Sequence, residues 1–315
     1  MAINPPTYIT TLANFGGNVL QSIYLEQFMA ALRLNTGMAY PLGKKGTLPT
    51  GAGKTVRWQF VNQPAAVTAN VGAEGGDPAE ATITTTTAEA ALEEFGNIVP
   101  YSRLLMGTAM SGTKEEMISA LGYQAGLSVE VRILNEITAA TTLVVDAGTG
   151  MTADALRQAA QKLVNVGSKP PAASAPYFCF LGSTEACYDM IGEGAPTWVQ
   201  AKNREIESAL LTPLTGSPQT AGIWGCLVKL TQSIPRITTT SPDDDLNVLI
   251  AQDAFGVSDL DFDAANPRVV DTPPDAAVHV PARNRGTLAW LLFFKSKLTR
   301  ENSIVVIKSD ATGIG

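Results

Sequence analysis

The residues most suggestive of chemistry are Leu48 to Thr55, LPTGAGKT, which close on a glycine, a lysine and a hydroxyl. A phosphate-cradling loop needs G-x-x-x-x-G-K-[ST] between a buried strand and a helix whose amino end faces the anion, because backbone N–H groups and the helix dipole do the holding. Gly53, Lys54 and Thr55 fit that pattern, but Leu48 occupies the first glycine position, no apolar strand precedes it, and the residues that follow alternate like a strand. The segment reads as the base of a hairpin, with nucleotide hydrolysis at Lys54 and Thr55 as the competing reading. Ser183 would be a nucleophile if a histidine reached it, yet the single histidine, His279, lies far along the chain in a proline-flanked loop. It reads as a helix N-cap. Asp243, Asp244 and Asp245 could hold calcium or magnesium, although such a run also suits a solvated turn. Cys179, Cys187 and Cys226 show no C-x-x-C spacing, which leaves zinc or iron few soft ligands; they read as buried thiols in a reducing compartment. The inventory predicts no enzyme, no cofactor and no metal site.

The elements that would have to position an active site point elsewhere. With 315 residues and 45% hydrophobic content, the chain can bury one large or two medium domains. Twenty-two basic against 29 acidic residues, a net charge of −7, exclude a surface that coats nucleic acid all round but leave room for a local basic patch. The opening residues, MAINPPTYITTLANFGG, lack a basic region before an apolar run, and the most apolar stretch, Thr287 to Phe294, is too short to span a bilayer. The expectation is a soluble intracellular product.

Thr113 to Thr141 is the longest helical pattern. Thr113 and Glu116 form a capping box, and Met117, Leu121, Gln124, Leu127, Val131, Leu134 and Thr138 recur at helical steps, with Lys114, Glu115, Glu130 and Arg132 on other faces. Gly122 and Gly126 each cost about 1 kcal/mol inside a helix, so something packs closely there or the helix bends. Before this spine come an arm and one amphipathic helix through Val19, Ile23, Leu25, Phe28, Met29, Leu32 and Leu34. A two-stranded excursion follows, with Val56, Trp58 and Phe60 on one face and GAEGGDPAE at its tip, too poor in apolar residues for a core of its own. After the spine, Thr152 opens a helix with Leu156, Ala159, Ala160, Leu163 and Val164 inward and Gly167 as its stop. Tyr177 to Leu181 reads as a buried strand, followed by a helix capped by Ser183 or Thr184, then a helix-like polar segment TWVQAKNREIESAL. Strands at GCLVKLTQS and LNVLIAQD, an acidic loop from Asp253 to Pro274, and two strands at Leu288 to Phe294 and Ile304 to Ile307 complete an α+β chain. An arm, a long hairpin and a spine that cannot bury themselves are what a self-assembling subunit shows.

This order of parts resembles the tailed-phage major capsid proteins of the HK-ninety-seven type, and within them looks most similar to the N-four-like major capsid family. The resemblance is carried by TLANFGG, by Gly51-Ala52-Gly53-Lys54-Thr55-Val56-Arg57-Trp58, by Glu74-Gly75-Gly76-Asp77-Pro78, and by Leu92-Glu93-Glu94-Phe95-Gly96. Tyr177 to Met190, LNVLIAQDAFG and RGTLAW extend it over most of the chain, whereas Pro281-Ala282-Arg283-Asn284 stands where the family pattern has Asp-Pro-Leu. The resemblance implies an arm at 1–40, an extended hairpin loop at 41–97, a peripheral domain with the spine at 98–147, an axial domain at 148–275, and strands returning to the peripheral domain at 276–315. It implies pentamers and hexamers of an icosahedral phage head, located in the virion and assembled in the host cytoplasm. Partners would be other copies, packaged double-stranded DNA, and portal, scaffolding and decoration proteins, with no membrane. Lys54, Arg57, Trp58, Glu74 and Asp77 would be assembly contacts. The same fold also serves cellular nanocompartment shells of the encapsulin type.

Overall fold

The computed structural model describes residues 25–33, 38–46, 53–62, 80, 82–108, 113–148, 150–172, 177–192, 220–223, 226–231, 233–238, 243–259, 267–273 and 285–310. Most of the arm, the hairpin tip with Glu74 and Asp77, the segment Thr197 to Leu210 and His279 lie outside the described residues.

The spine is helix α3, Thr113–Thr138, whose 26 residues span about 39 Å. Its buried stripe runs through Ile118, Leu121, Gly122, Ala125, Gly126, Val129, Glu130, Ile133, Leu134 and Ile137. The stripe expected from the larger apolar residues is therefore corrected: Leu121 and Leu134 lie on it, but Leu127 is 38% exposed, Gln124 faces outward and Glu130 is buried. The reason is close approach. Helix α1, residues 25–33, crosses at Gly122, where an added Cβ would sit 2.5 Å from the Phe28 carbonyl oxygen and 2.9 Å from the Ala31 Cβ. Small side chains bring the two backbones together and place Phe28 and Leu32, both fully buried, beside the spine.

One side of the spine carries a three-stranded sheet, β12 (Arg268–Thr272), β13 (Arg285–Phe294) and β4 (Glu93–Ser102) in that order, all antiparallel. β13 alternates, with Leu288, Trp290, Leu292 and Phe294 buried against the spine. Trp290 packs on Phe28 and meets Phe95 edge-on, with ring centres 5.9 Å apart. At the start of the spine, Lys114 pairs with Asp271 of β12, which also accepts a hydrogen bond from the Tyr101 hydroxyl at 2.9 Å. Both charged side chains are mostly shielded from water. Asp271→Ala is expected to cost about 1.5 kcal/mol in chemical denaturation, because two donors lose a charged acceptor in a partly dry site. A change under about 0.3 kcal/mol would mean the pair contributes nothing.

The other layer is a mixed seven-stranded sheet. Its order is β5 (Val144–Asp146), β15 (Ile304–Asp310), β10 (Asp244–Ile250), β6 (Phe178–Gly182), β8 (Cys226–Leu230) and β7 (Thr220–Ile223), with β9 (Arg236–Ile237) beside β10. Helices α4 (Ala153–Asn165) and α5 (Thr184–Gly192) contribute to the core on one face through Leu156, Ala159, Leu163, Ala186 and Met190. Cys179, Leu181, Val248, Ile250 and Val306 point the other way into the core shared with the spine. Such strands are apolar on both faces and read as continuous runs. Thr152 caps α4 by accepting from the Ala155 amide at 3.1 Å, and Gly167, at φ 75°, ends it as expected; Val164, expected inward, is 61% exposed. Ser183 caps α5 by accepting from the Ala186 amide.

Two further expectations are corrected. Asp244 and Asp245 belong to β10, not to a turn, and Asp245 is 2% exposed and paired with Arg236, which also reaches Glu185. The span from Asp253 to Pro274 contains β11 (Phe255–Ser258) and β12. The last strands divide: β13 returns to the spine, while β15 enters the seven-stranded sheet between β5 and β10. Among the described residues, no helix is long and apolar enough to cross a membrane.

Candidate functional site

The hairpin is the element whose placement needs explaining. β2 (Thr55–Val61) pairs antiparallel with β3 (Thr85–Ala91), Thr55 opposite Ala91 and Val61 opposite Thr85. Its burial alternates strictly: Val56, Trp58 and Phe60 are each 1% exposed, and Ala88, Ala90 and Leu92 pack against them. Two strands are too few to bury a tryptophan, so the rest of the cover comes from the subunit body. β1 (Lys44–Gly46) lies parallel to β11, which pairs antiparallel with β14 (Ser296–Leu298). The Trp58 indole lies on Gly46 of β1 and Gly256 of β11, where an added Cβ would stand 2.4 Å and 2.6 Å from ring atoms. Its Nε1–H donates to the Val257 carbonyl at 3.3 Å. Only glycine leaves room for a ring at both places.

Phe60, one step further out, is held between two cations. The Lys44 ammonium lies 4.4 Å from the ring centre and the Arg300 guanidinium 5.6 Å from it. Both also bind hairpin backbone: Lys44 donates to the Gln59 carbonyl at 2.5 Å, and Arg300 to the Val61 carbonyl at 3.0 Å. On the exit side, Glu93 receives Lys295 and Arg132, and these cations, Lys295 first, hold its carboxyl below the usual range. Arg132 in turn stacks 4.4 Å from the Phe95 ring centre. The hairpin is thus fixed at its root on both edges while its outer part carries exposed residues.

Of the five candidate contact residues, three can be placed. Lys54 is exposed at the entry, and its carbonyl accepts from the Leu92 amide at 2.7 Å. Arg57 pairs with Glu89 at 2.7 Å on the solvent face of the hairpin. Trp58 is occupied inside its own subunit, so it positions the hairpin and does not present a face to a neighbour. Lys44, Gly46, Gly256 and Arg300 were not legible as partners of this hairpin, because they come from three distant stretches and follow no spacing rule.

The chemistry considered first does not assemble. Thr55 opens a strand, so Lys54 leads into β2 and not into the helix that a phosphate-cradling loop requires. Ser183 spends its hydroxyl on capping, and Asp245 binds Arg236 through Oδ1. Burial pushes all three thiols up to about 12, which keeps them protonated and unreactive. Among the described residues, no group of three or more histidine, cysteine or carboxylate side chains could hold a metal. A polar cleft of about 580 Å³ lies between the hairpin at Val61 and Asn62, the end of α4 at Gly167 to Lys169, Gln252 and Asp253, and Arg300 to Ser303.

No protein-family model matches the chain, and no curated protein matches it. Solved structures do match in fold. The capsid of Ralstonia phage GP4 is 12% identical with a TM-score of 0.63, covering 84% of this chain and 85% of that one. The head structure of Helicobacter pylori bacteriophage KHP40 gives 12% identity and a TM-score of 0.58, covering 81% and 85%. A virus-like particle from Pyrococcus furiosus gives 11% identity and a TM-score of 0.50, covering 90% and 98%. At these identities the likeness establishes the fold: this chain has the α+β architecture of the HK-ninety-seven-like capsid proteins.

Proposed function

We propose that this chain is the major capsid protein of a tailed phage, with a structural and not an enzymatic role. Copies assemble into pentamers and hexamers of an icosahedral head around double-stranded DNA. The observation that supports this most is the likeness in fold to the phage GP4 capsid, since it covers 84% of this chain and 85% of that one and so extends well beyond one common substructure. The hairpin adds to it: a two-stranded element that relies on the subunit body for the cover of its apolar face suits a subunit completed by other copies. In this reading residues 98–147 belong to a peripheral domain and 148–275 to an axial domain, and Lys54, Arg57, Glu74 and Asp77 meet a neighbour. The motifs quoted above support a reading among the N-four-like capsids. A nanocompartment shell is the second reading, favoured by the likeness to the Pyrococcus furiosus particle.

Negative-stain microscopy of the purified full-length protein is expected to show closed shells or capsomer rings. A monodisperse monomer at every concentration tested would overturn both readings. Neighbouring genes separate them, a terminase and portal on one side and a cargo enzyme on the other.

A further inference from the structure

Glu130 sits in the middle of the spine, 2% exposed, on the face that receives the chain on its way from α1 to the hairpin. Its Oε1 accepts the Ala39 amide at 2.9 Å, and the Tyr40 amide also donates to the carboxyl. Ala39 is the N-cap of a short 3-10 turn, Tyr40–Leu42, which lacks a capping side chain of its own. Glu130 thus supplies from another element the acceptor oxygen that the turn's amino end requires. The second oxygen, Oε2, is buried with no hydrogen-bond partner among the described residues.

That geometry opposes ionisation. A carboxylate has two strong acceptors, and here one of them is buried without a partner among the described residues. Burial pushes the Glu130 carboxyl up to about 7, against the Ala39 amide, the Lys229 ammonium on β8 and the Tyr40 amide, all of which pull it down. Other charged groups around the turn are Lys45 of β1, 4.4 Å from the Tyr40 ring centre, and Asp259 after β11, which accepts from the Tyr40 hydroxyl at 3.5 Å. The carboxyl stays protonated only while the turn covers it. Lifting the turn exposes it to water and returns it to an ordinary acid.

We propose that Glu130 is a pH-sensitive latch that seats residues 38–43, the strut between α1 and the hairpin, on the spine: closed with a neutral carboxyl, loosened when the carboxyl ionises. The sign follows from linkage. The closed state has the higher pKa, so the contribution is present in full below the ordinary value of about 4.5 and is lost as pH rises through about 7. The strut leads into β1, whose Gly46 supports Trp58, so loosening it loosens the hairpin root. This holds whichever shell the copies build.

Hydrogen exchange on the full-length protein tests it, read at the amides of Ala39, Leu42 and Gly43 after correction for intrinsic rates. Leu42 and Gly43 donate to the Ala39 and Tyr40 carbonyls, so they report the turn. Opening is expected to rise on the order of 100-fold between about pH 4.5 and about pH 8 in the native protein. Glu130→Gln should remove that slope, and Asp259→Asn should keep it. An unchanged slope in Glu130→Gln, or its loss in Asp259→Asn, overturns the latch. If Glu130→Gln fails to fold, carbon-13 titration of the native Glu130 carboxyl decides: a midpoint near the ordinary glutamate value sinks the proposal.

Discussion

Trp58→Ala is expected to release the hairpin while leaving the two sheets and the spine folded. Removing a fully buried tryptophan that is cradled on two glycine backbones costs about 3 to 5 kcal/mol, and that loss falls on an element with few other contacts. Val56 keeps its own contact with Gly46, but the hairpin loses its contact with Gly256, which the Trp58 ring makes. Local opening free energies at such an element lie well below the global one, so the cost is enough to make the open hairpin the major form. Limited proteolysis should therefore cut the variant between β2 and β3 while the rest of the chain resists, and microscopy should show no closed shells. Trp58→Phe keeps most of the packing and forfeits the bond to the Val257 carbonyl, so its loss should be about 1 kcal/mol. A Trp58→Ala protein with a protected hairpin and normal shells would show that the hairpin is held by something other than its root.

Gly122→Ala is expected to destabilise the protein, although helix propensity alone predicts the reverse. Replacing glycine by alanine in a helix interior is worth about 1 kcal/mol in favour of the variant. Against this, the new methyl would sit 2.5 Å from the Phe28 carbonyl oxygen, a backbone atom that cannot turn aside as a side chain could. Helix α1 must move off the spine, which uncovers Phe28 and Leu32 and disturbs the contact between Phe28 and Trp290. Overpacking of this kind costs about 1 to 3 kcal/mol, and uncovering two large apolar side chains adds about 2 to 3 more, so the net loss should be about 3 kcal/mol. Chemical denaturation of the pair measures it. A variant as stable as the parent, or more so, would mean that α1 does not need its close approach at Gly122.

These two positions mark where sequence reading reaches and where it stops. Val56, Trp58 and Phe60 announce a one-sided strand through a period of two, and the helices at Thr113, Thr152 and Ser183 announce their starts through capping chemistry that acts within four residues. Gly122 announces a close neighbour because its cost inside a helix must be offset. None of these signals names the partner. That Trp58 rests on Gly46 and Gly256, that Lys44 and Arg300 flank Phe60, and that Glu130 caps a turn from another element are facts about residues far apart in the chain.

The amino-acid sequence by itself therefore determined the spine helix, the one-sided strand of the hairpin and the α+β class, because these depend on residue type and local period. Tertiary structure alone decided which face of the spine is buried, where the last strand goes and which residues hold the hairpin root. Those outcomes depend on how near two backbones can come, and that distance is fixed by small side chains whose effect appears only once the neighbouring element is in place.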